Sequence, residues 1–314
     1  MLDERPGDPF EREQMTSRTL LVWLIAMTTV TMTATACGSS ERSGPGTCTD
    51  IPAASVHSDV DVTGSPVFDR MVAKGHVTVG VKVDQPGLGY KDVNGNRCGF
   101  DIEIARLISA GLGFDPSTIS FKEIPSANRE VSIQAGEVDY YVGTYTINDA
   151  RLKQIDFAGP YIVAGQSLLV RADEDTITGQ SALAGKRVCS AVGTTSIQRI
   201  KDKGLTEPKN IVEFKTALEC VSQMLDGNVD AVTTDDAILK GYSTAIPDEV
   251  KLVGEPFSTE PYGIGLAREP EPALCDAMNE ILQTAINDGT WNAIYDATLG
   301  KSGVPADPPE LRQC

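Results

Sequence analysis

Hydroxyl groups and one arginine follow an apparent strand near the middle of the chain, in an arrangement that suits an anion. The segment 144–151 contains Thr144, Thr146 and Arg151 and comes directly after the strand-like segment 138–143. A strand end supplies free backbone groups, and a guanidinium matches a carboxylate or phosphate with two parallel hydrogen bonds. A lone arginine in a polar loop is equally typical of a solvated surface. The role of Arg151 therefore depends on what other segments surround it.

Two further strand ends carry complementary chemistry. Thr194 and Thr195 end one strand and open a helix, where free N–H groups and the positive helix end favour an anion. Asp235 ends another strand, and its carboxylate is suited to an ammonium group. Each turn alone is more typical of helix capping. Together with Arg151 they match an amino-acid zwitterion, whose charges must be paired where water is excluded.

The surrounding sequence predicts an alternation of strands and helices that runs twice. The first run contains strands and helices at 76–82, 100–108, 119–124, 131–136 and 138–143, with an Asn-Gly hairpin at 90–96. The second run contains segments at 166–171, 185–192, 211–214, 217–225, 230–234, 252–257 and 262–266, before closing helices at 272–295. Such alternation is typical of doubly wound α/β sheets, which bind ligands beyond the carboxyl ends of their strands. We therefore expect two α/β lobes with a cleft between them.

Size and charge narrow the function classes. The chain has 314 residues, 41% of them hydrophobic and 23% charged, which is ordinary for a globular protein of about two domains. Its net charge of -17 argues against nucleic acid and against an anionic membrane surface as partners. An anionic ligand would have to be held by local groups.

No metal or cofactor is expected. The cysteines contain no Cys-x-x-Cys pair and no nearby histidine, which excludes a typical zinc site. Asp92, Asn94 and Asn96 have the spacing of a calcium loop, but Arg97 stands where that loop needs glycine. A hairpin is the better interpretation of this segment.

The N-terminus predicts export. A positive charge at Arg18, a short apolar run and small residues up to position 36 are typical of a signal peptide, with Met15 as an alternative start. Cys37 resembles the lipid-modified cysteine of bacterial lipoproteins, although Ala34 stands where that signal usually has leucine. An ordinary cleavage after Ala36 is the alternative. Residues 37–65, rich in Ser, Gly, Thr, Pro and Asp, are expected to form a flexible tether.

Six cysteines remain after Cys37, and an even count in an exported chain indicates disulfide bonds. Six cysteines allow 15 connectivities. We expect neighbours in sequence to pair, namely Cys189–Cys220, Cys275–Cys314 and Cys48–Cys98.

From about residue 69 to residue 300 the chain resembles the polar-amino-acid solute-binding proteins of ABC importers, the bacterial extracellular solute-binding family 3. Within that family the chain is similar to the actinobacterial glutamate/glutamine-binding lipoproteins, and the segment 84–90 carries this similarity. The matching motifs occur in family order at 79–82, 99–105, 146–151, 156–161, 185–188, 193–195, 230–235, 254–257 and 288–291.

The resemblance implies a periplasmic-binding-protein-like type II fold, in which two lobes joined by two strands close on one amino acid. Lobe I would comprise 66–167 and 258–303, lobe II 168–257, and 304–314 a C-terminal tail. The α-carboxylate would bind Arg151, Thr146 and the turn at Thr194 and Thr195. The α-ammonium would bind Asp235 and the backbone carbonyl of Thr144.

The ligand side chain is the point where this chain departs from many relatives. Those relatives stack an aromatic residue on the ligand where this chain has Gln85 and the segment 126–128. Lys82 stands about where glutamine binders have an aspartate, and with Arg129 it would favour an acidic side chain. Tyr145 completes the expected side-chain contacts. The alternative is that Lys82 pairs with Asp84 or Glu123.

These features predict a monomeric, non-enzymatic, extracytoplasmic lipoprotein that delivers glutamate or aspartate, with glutamine or asparagine as alternatives, to an ABC permease. A sensor for a membrane signalling protein would use the same closure on ligand. An enzyme of the dehydratase type on this fold is the other alternative, with an acid such as Glu260 as its proton donor. The sequence has no plausible nucleophile and base pair.

Overall fold

Two five-stranded sheets organise the chain in a computed structural model that describes residues 54–58, 60–270, 272–303 and 306–314. The predicted signal peptide, the lipidation site Cys37 and the greater part of the predicted tether lie outside the described residues. None of the helices in the described part is long and apolar enough to cross a membrane.

The helices and strands follow the predicted alternation. The helices are α1 (Pro66–Lys74), α2 (Phe100–Gly111), α3 (Arg129–Gln134), α4 (Asp149–Leu152), α5 (Thr195–Lys203), α6 (Ala217–Leu225), α7 (Asp236–Ala245), α8 (Ala273–Asn287) and α9 (Thr290–Ala297). The strands are β1 (Thr78–Val81), β2 (Tyr90–Lys91), β3 (Arg97–Cys98), β4 (Ser120–Glu123), β5 (Tyr140–Tyr141), β6 (Asp156–Ala164), β7 (Gln166–Arg171), β8 (Val188–Ala191), β9 (Ile211–Phe214), β10 (Ala231–Asp235), β11 (Val250–Val253) and β12 (Glu260–Leu266). The predicted strand at 252–257 ends early, because Gly254 has a φ of 73°.

Each sheet combines parallel and antiparallel strands. The first has the order β4-β1-β5-β12-β6, and β1 is parallel to both β4 and β5. The second has the order β11-β7-β10-β8-β9, and β8 is parallel to β9 and β10. Because β12 joins the first sheet after the whole of the second, the chain crosses between the sheets twice. This is the type II fold of two doubly wound α/β lobes with a two-strand hinge.

The first crossing is at Gly165, between β6 and β7. The predicted lobe boundary after residue 167 therefore falls inside β7. A Cβ atom at Gly165 would lie 2.7 Å from the carbonyl oxygen of Ser258 in the second crossing. The two crossing segments thus touch at a position where only glycine leaves them room.

The core of lobe I forms around α2. Its apolar residues recur every three or four positions, and Phe100, Ile104 and Ile108 are fully buried. Phe100 packs edge-on against Trp291 with ring centroids 5.5 Å apart. This packing holds the closing helix α9 against α2.

The N-terminal and C-terminal segments of the described chain both contact lobe I. His57 N donates a 3.0 Å hydrogen bond to the carbonyl oxygen of Ala110, and Val62 is buried. The predicted flexible tether, 37–65, is therefore attached to lobe I along its final residues. In the C-terminal tail, Arg312 N donates to the carbonyl oxygen of Gly159 at 2.9 Å.

Disulfide bonds join Cys189 to Cys220 and Cys275 to Cys314, with Cα atoms 5.5 and 5.8 Å apart. The first links β8 to α6 in lobe II, and the second holds the C-terminus on α8. The expected Cys48–Cys98 bond involves Cys48, which lies outside the described residues.

Candidate functional site

A cleft between the two lobes gathers the strand ends that carry the predicted site residues. Its lining from lobe I comprises Lys82, Asp84, Gln85, Ser126, Arg129, Thr144, Thr146 and Arg151. Its lining from lobe II comprises Ala191, Thr194, Thr195, Ala217, Thr234, Asp235 and Ile238. The cavity left between them has a volume of about 20 Å³, which is room for little more than one water. An amino acid therefore enters only after side chains or lobes move.

Arg151 lies at the end of the lobe I loop with only 7% of its surface exposed. The Asn148 side chain caps the short helix α4 by accepting from Arg151 N at 3.0 Å, which positions the arginine. The guanidinium donates to the carbonyl oxygens of Thr146, at 2.6 Å, and of Gly193, at 3.2 Å. Its Nε lies 3.4 Å from a carboxylate oxygen of Glu130. Burial, with the nearby charge of Arg129, lowers the Arg151 pKa to about 10, so the group stays charged at neutral pH.

Arg129 lies beside Arg151 and faces the same group of lobe II. Its guanidinium donates to the carbonyl oxygen of Thr144 at 3.3 Å and to that of Gly193 at 3.1 Å. Two guanidinium groups thus converge on one carbonyl oxygen of the opposite lobe. The carbonyl oxygen of Gly193 is a neutral acceptor. An anion in its place would accept charge-assisted, and therefore stronger, hydrogen bonds from both guanidinium groups.

Tyr145, an expected contact of the ligand side chain, does not line the cleft. Its fully buried ring lies under both guanidinium groups, with centroid distances of 4.1 Å to Arg129 and 4.7 Å to Arg151. Thr144 and Thr146, on either side of it, do line the cleft. Tyr145 therefore supports the two cations from the core side.

Thr144 has a φ of 47°, a conformation that is rare and strained for a residue with a branched side chain. Its N–H donates to Asp101 Oδ2 at 3.1 Å, and Asp101 Oδ1 accepts from the Tyr161 hydroxyl at 2.8 Å. Burial raises the Asp101 pKa to about 7. Asp101 is not among the residues predicted for the site, although an acid on the buried face of an otherwise apolar helix is a usable signal. Asp101 holds the strained corner that presents the Thr144 carbonyl.

Asp235 ends β10 and precedes α7 without capping it through its side chain. Its carboxylate accepts from the Tyr262 hydroxyl at 2.6 Å and from Ser196 Oγ at 3.2 Å. Burial raises the Asp235 pKa to about 7, and the nearby Glu260 adds to the effect. A buried carboxylate of this kind is stabilised in its charged form by an ammonium group in the cleft.

The hydroxyls of Thr194 and Thr195 are already engaged. Thr194 Oγ1 caps α5 by accepting from Ile197 N at 3.2 Å, and Thr195 Oγ1 donates to Glu260 Oε2 at 2.8 Å. The first backbone N–H groups of α5 have no partner within the helix. This turn therefore offers backbone donors and the positive end of a helix to an anion.

Glu260, the acid considered for a catalytic role, is fully buried in β12. It pairs with Arg199 Nη2 at 2.7 Å and accepts from Ser258 Oγ at 2.7 Å. The structure places it behind Thr195 and outside the cleft lining. Within the described ranges, no cluster of His, Cys, Asp or Glu residues has the arrangement of a metal site.

Lys82 also lines the cleft and is 5% exposed. Its Nζ donates to Ser126 Oγ at 2.6 Å. Among the described residues, no carboxylate oxygen lies within 4.0 Å of Lys82 or of Arg129. The alternative pairing of Lys82 with Asp84 or Glu123 is therefore not present. Burial, with the charge of Arg129, lowers the Lys82 pKa to about 8. Gln85 is buried near it and accepts from Thr144 Oγ1 at 3.2 Å.

Comparison with known proteins identifies the family. The model for bacterial extracellular solute-binding proteins, family 3, matches residues 77–301. The glutamate-binding protein GluB of Corynebacterium glutamicum is 38% identical over 254 residues, covering 78% of this chain and 85% of that protein. The ABC transporter glutamine-binding protein GlnH of Bacillus subtilis is 35% identical over 238 residues, covering 74% and 83%. A solved structure of an ancestral arginine-binding protein bound to glutamine matches with a TM-score of 0.66 and 35% identity, covering 72% of this chain and 98% of that one. This chain belongs to the bacterial extracellular solute-binding proteins of family 3.

Proposed function

We propose that the protein captures an acidic L-amino acid, glutamate before aspartate, and delivers it to an ABC importer. The observation that carries this proposal is the charge distribution of the cleft. Lys82 and Arg129 have no carboxylate partner among the described residues, whereas the groups for a zwitterion are already supplied by other residues. A ligand whose side chain carries a negative charge, in addition to its α-carboxylate and α-ammonium groups, would give Lys82 and Arg129 a partner.

Arg151 and the backbone N–H groups at the start of α5 bind the α-carboxylate of the ligand. The ammonium group lies between the Asp235 carboxylate and the Thr144 carbonyl oxygen. Gly193, whose carbonyl oxygen now accepts from both arginines, gives way as the carboxylate enters. Each charged group of the ligand is then matched, as burial requires.

At the side-chain end, Lys82 binds the distal carboxylate with help from Arg129. Glutamine would leave a buried cation without a counter-ion, and the cost of an unpaired buried charge favours glutamate. Aspartate is shorter by one methylene and would reach Lys82 less well. The named relatives include both a glutamate binder and a glutamine binder, so the discrimination has to come from this chain's own residues.

Lobe closure couples binding to delivery. The site is assembled from both lobes, so the full set of contacts exists only when they meet. A permease that recognises the closed form would receive loaded protein in preference to empty protein. We propose a monomer with no catalytic role, since the matched relatives are binding proteins.

We further propose that Cys37 carries a lipid and holds the protein at the outer face of the cytoplasmic membrane. The proposal rests on the signal-like residues before Cys37. Replacement of Cys37 by serine should release the protein into the medium. Retention of Cys37→Ser on the membrane would contradict the anchor.

A thermal-shift screen against the twenty amino acids tests the proposed ligand class. Binding raises the melting temperature by mass action. Glutamate should give the largest rise and aspartate the next. No rise with any of the twenty would contradict amino-acid capture.

A further inference from the structure

The loop that follows β1 in lobe I contacts lobe II within the cleft lining, through Asp84, a residue not among the expected ligand contacts. Asp84 Oδ2 accepts from the backbone N–H groups of Ala217, at 3.1 Å, and of Leu218, at 3.4 Å. These are the first two residues of α6. Asp84 belongs to lobe I and α6 to lobe II, so the contact exists only while the lobes are together.

Helix α6 is built to receive this carboxylate. Thr216 caps it by accepting from Glu219 N at 3.2 Å, and the Glu219 side chain accepts in return from Thr216 N at 2.9 Å. That reciprocal cap satisfies the third N–H of the helix and leaves the first two for a partner from outside. The positive end of the helix adds a favourable charge interaction.

The backbone of the same loop makes a second contact with lobe II. The Tyr242 hydroxyl of α7 donates to the carbonyl oxygen of Asp84 at 2.5 Å. Gly241 lies so close to Pro86 that a Cβ atom would come within 2.0 Å of the Pro86 carbonyl oxygen. Helix α6 is itself held to β8 by the Cys189–Cys220 bond. On lobe II, the N-terminus of α6 and the Tyr242 hydroxyl of α7 therefore donate to the carboxylate and the carbonyl oxygen of Asp84.

We propose that Asp84 is a closure latch, a positioning residue that stabilises the closed form through α6 without binding the ligand. Its carboxylate is occupied by the helix and forms no ion pair with Lys82, although its negative charge favours the charged form of Lys82 through space. The hydrogen bonds of the latch raise affinity for every ligand by the same factor, because they join the lobes and do not touch the side chain being recognised.

The inference rests on the proposed function, and the experiment separates the two. Wild type, Asp84→Ala, Asp84→Asn, Tyr242→Phe and the control Asp115→Asn are titrated with glutamate and glutamine by calorimetry. Asp115 also accepts a backbone N–H, from Ser117 at 2.8 Å, but within lobe I. Dissociation rates are measured by stopped-flow competition, and circular dichroism checks that each variant is folded.

Asp84→Ala should raise Kd about tenfold, the effect expected for loss of a charge-assisted hydrogen bond, and chiefly through a faster dissociation rate. Asp84→Asn and Tyr242→Phe should each raise it about threefold. In Tyr242→Phe, which keeps the Asp84 charge, the ratio of glutamate to glutamine affinity should stay at the wild-type value, and Asp115→Asn should bind as wild type does. Unchanged affinity in Asp84→Ala would overturn the latch, and so would an altered ratio of glutamate to glutamine affinity in Tyr242→Phe.

Small-angle X-ray scattering of the ligand-free proteins tests the latch without any ligand. Asp84→Ala should have a larger radius of gyration than Asp115→Asn, because it loses a contact that favours the closed form. Equal radii together with equal affinities would reject the latch alone. A wild type that binds no amino acid would reject the proposed function, while a larger radius in Asp84→Ala would still support the latch.

Discussion

Lys82 Nζ donates a 2.6 Å hydrogen bond to Ser126 Oγ, and this neutral hydroxyl is the acceptor of a buried lysine. Burial and the nearby charge of Arg129 lower the Lys82 pKa toward neutrality, and the carboxylates of Asp84, Glu123 and Asp101 offset this only in part. The arrangement is stabilised when a ligand brings a carboxylate to the same place. The Lys82–Ser126 pair is therefore the structural basis for expecting an acidic ligand.

Replacement of Lys82 by glutamine should reverse the preference between acid and amide. Glutamate affinity should fall by about 2–3 kcal/mol, because its distal carboxylate loses a charged partner. Glutamine affinity should change little or improve. Calorimetry on Lys82→Gln and on the exposed hairpin control Lys91→Gln checks this. A Lys82→Gln protein that keeps the wild-type ratio of the two affinities would show that the ligand side chain lies elsewhere.

Replacement of Arg151 by alanine should abolish binding while the melting temperature of the ligand-free protein stays nearly unchanged. Loss of the charged contact to the α-carboxylate costs about 2–5 kcal/mol of binding free energy. Stability is spared because removing Arg151 also relieves repulsion from Arg129. Arg268→Ala, which removes an exposed arginine outside the cleft, is the matched control. Binding of Arg151→Ala within threefold of wild type would place the site elsewhere.

Affinity for glutamate should pass through a maximum between pH 7 and pH 8. Asp235, with a pKa of about 7 in the free protein, must lose its proton to bind the ammonium group, so affinity falls as pH drops below 7. Lys82, with a pKa of about 8, must keep its proton to bind the distal carboxylate, so affinity falls as pH rises above 8. On each side of the maximum, the affinity should fall by up to about tenfold for each pH unit.

Titrations in buffers of different ionisation enthalpy check this profile, since binding at pH 6 should release a proton and binding at pH 9 should take one up. Asp235→Asn should lose the acidic limb together with much of the affinity. A flat affinity between pH 5.5 and pH 7 would mean that Asp235 does not receive the ammonium group.

Loss of the Cys275–Cys314 bond should lower stability without changing affinity. The two residues are 39 positions apart, and closing a loop of that length constrains the unfolded chain by about 4 kcal/mol in the chain-entropy model. Cys314→Ser with Cys275→Ala should lower the free energy of unfolding by about 2–4 kcal/mol. Chemical denaturation measures it. A large change in Kd would mean that the C-terminus supports the cleft.

The sequence predicted the strand ends well because they depend on local patterns. Thr144 and Thr194 closely follow short strands, Asp235 ends another, and the parallel strands β8 and β10 bring Thr194 and Asp235 to one edge of the lobe II sheet. The hinge position was less predictable, since β6 and β7 are both apolar and only the close approach of Gly165 to Ser258 separates them.

Partners distant in sequence were not predictable. Tyr262 and Asp235 are 27 positions apart and meet only through the return of β12 to lobe I. The contact of Asp84 with Ala217 spans 133 positions and two lobes. Tyr145 lies in the core although Thr144 and Thr146 line the cleft, and no local pattern indicates the left-handed backbone at Thr144. Such contacts depend on tertiary packing, including how the two lobes pack against each other. Local sequence patterns do not indicate that packing.

Calorimetric titration of the wild-type protein with glutamate, aspartate, glutamine and asparagine at pH 7.5 tests the central claim most directly. The charge distribution of the cleft predicts the lowest Kd for glutamate, a higher one for aspartate, and Kd values at least tenfold above that of glutamate for both amides. Equal or tighter binding of the amides, or no binding of any of the four, would contradict it.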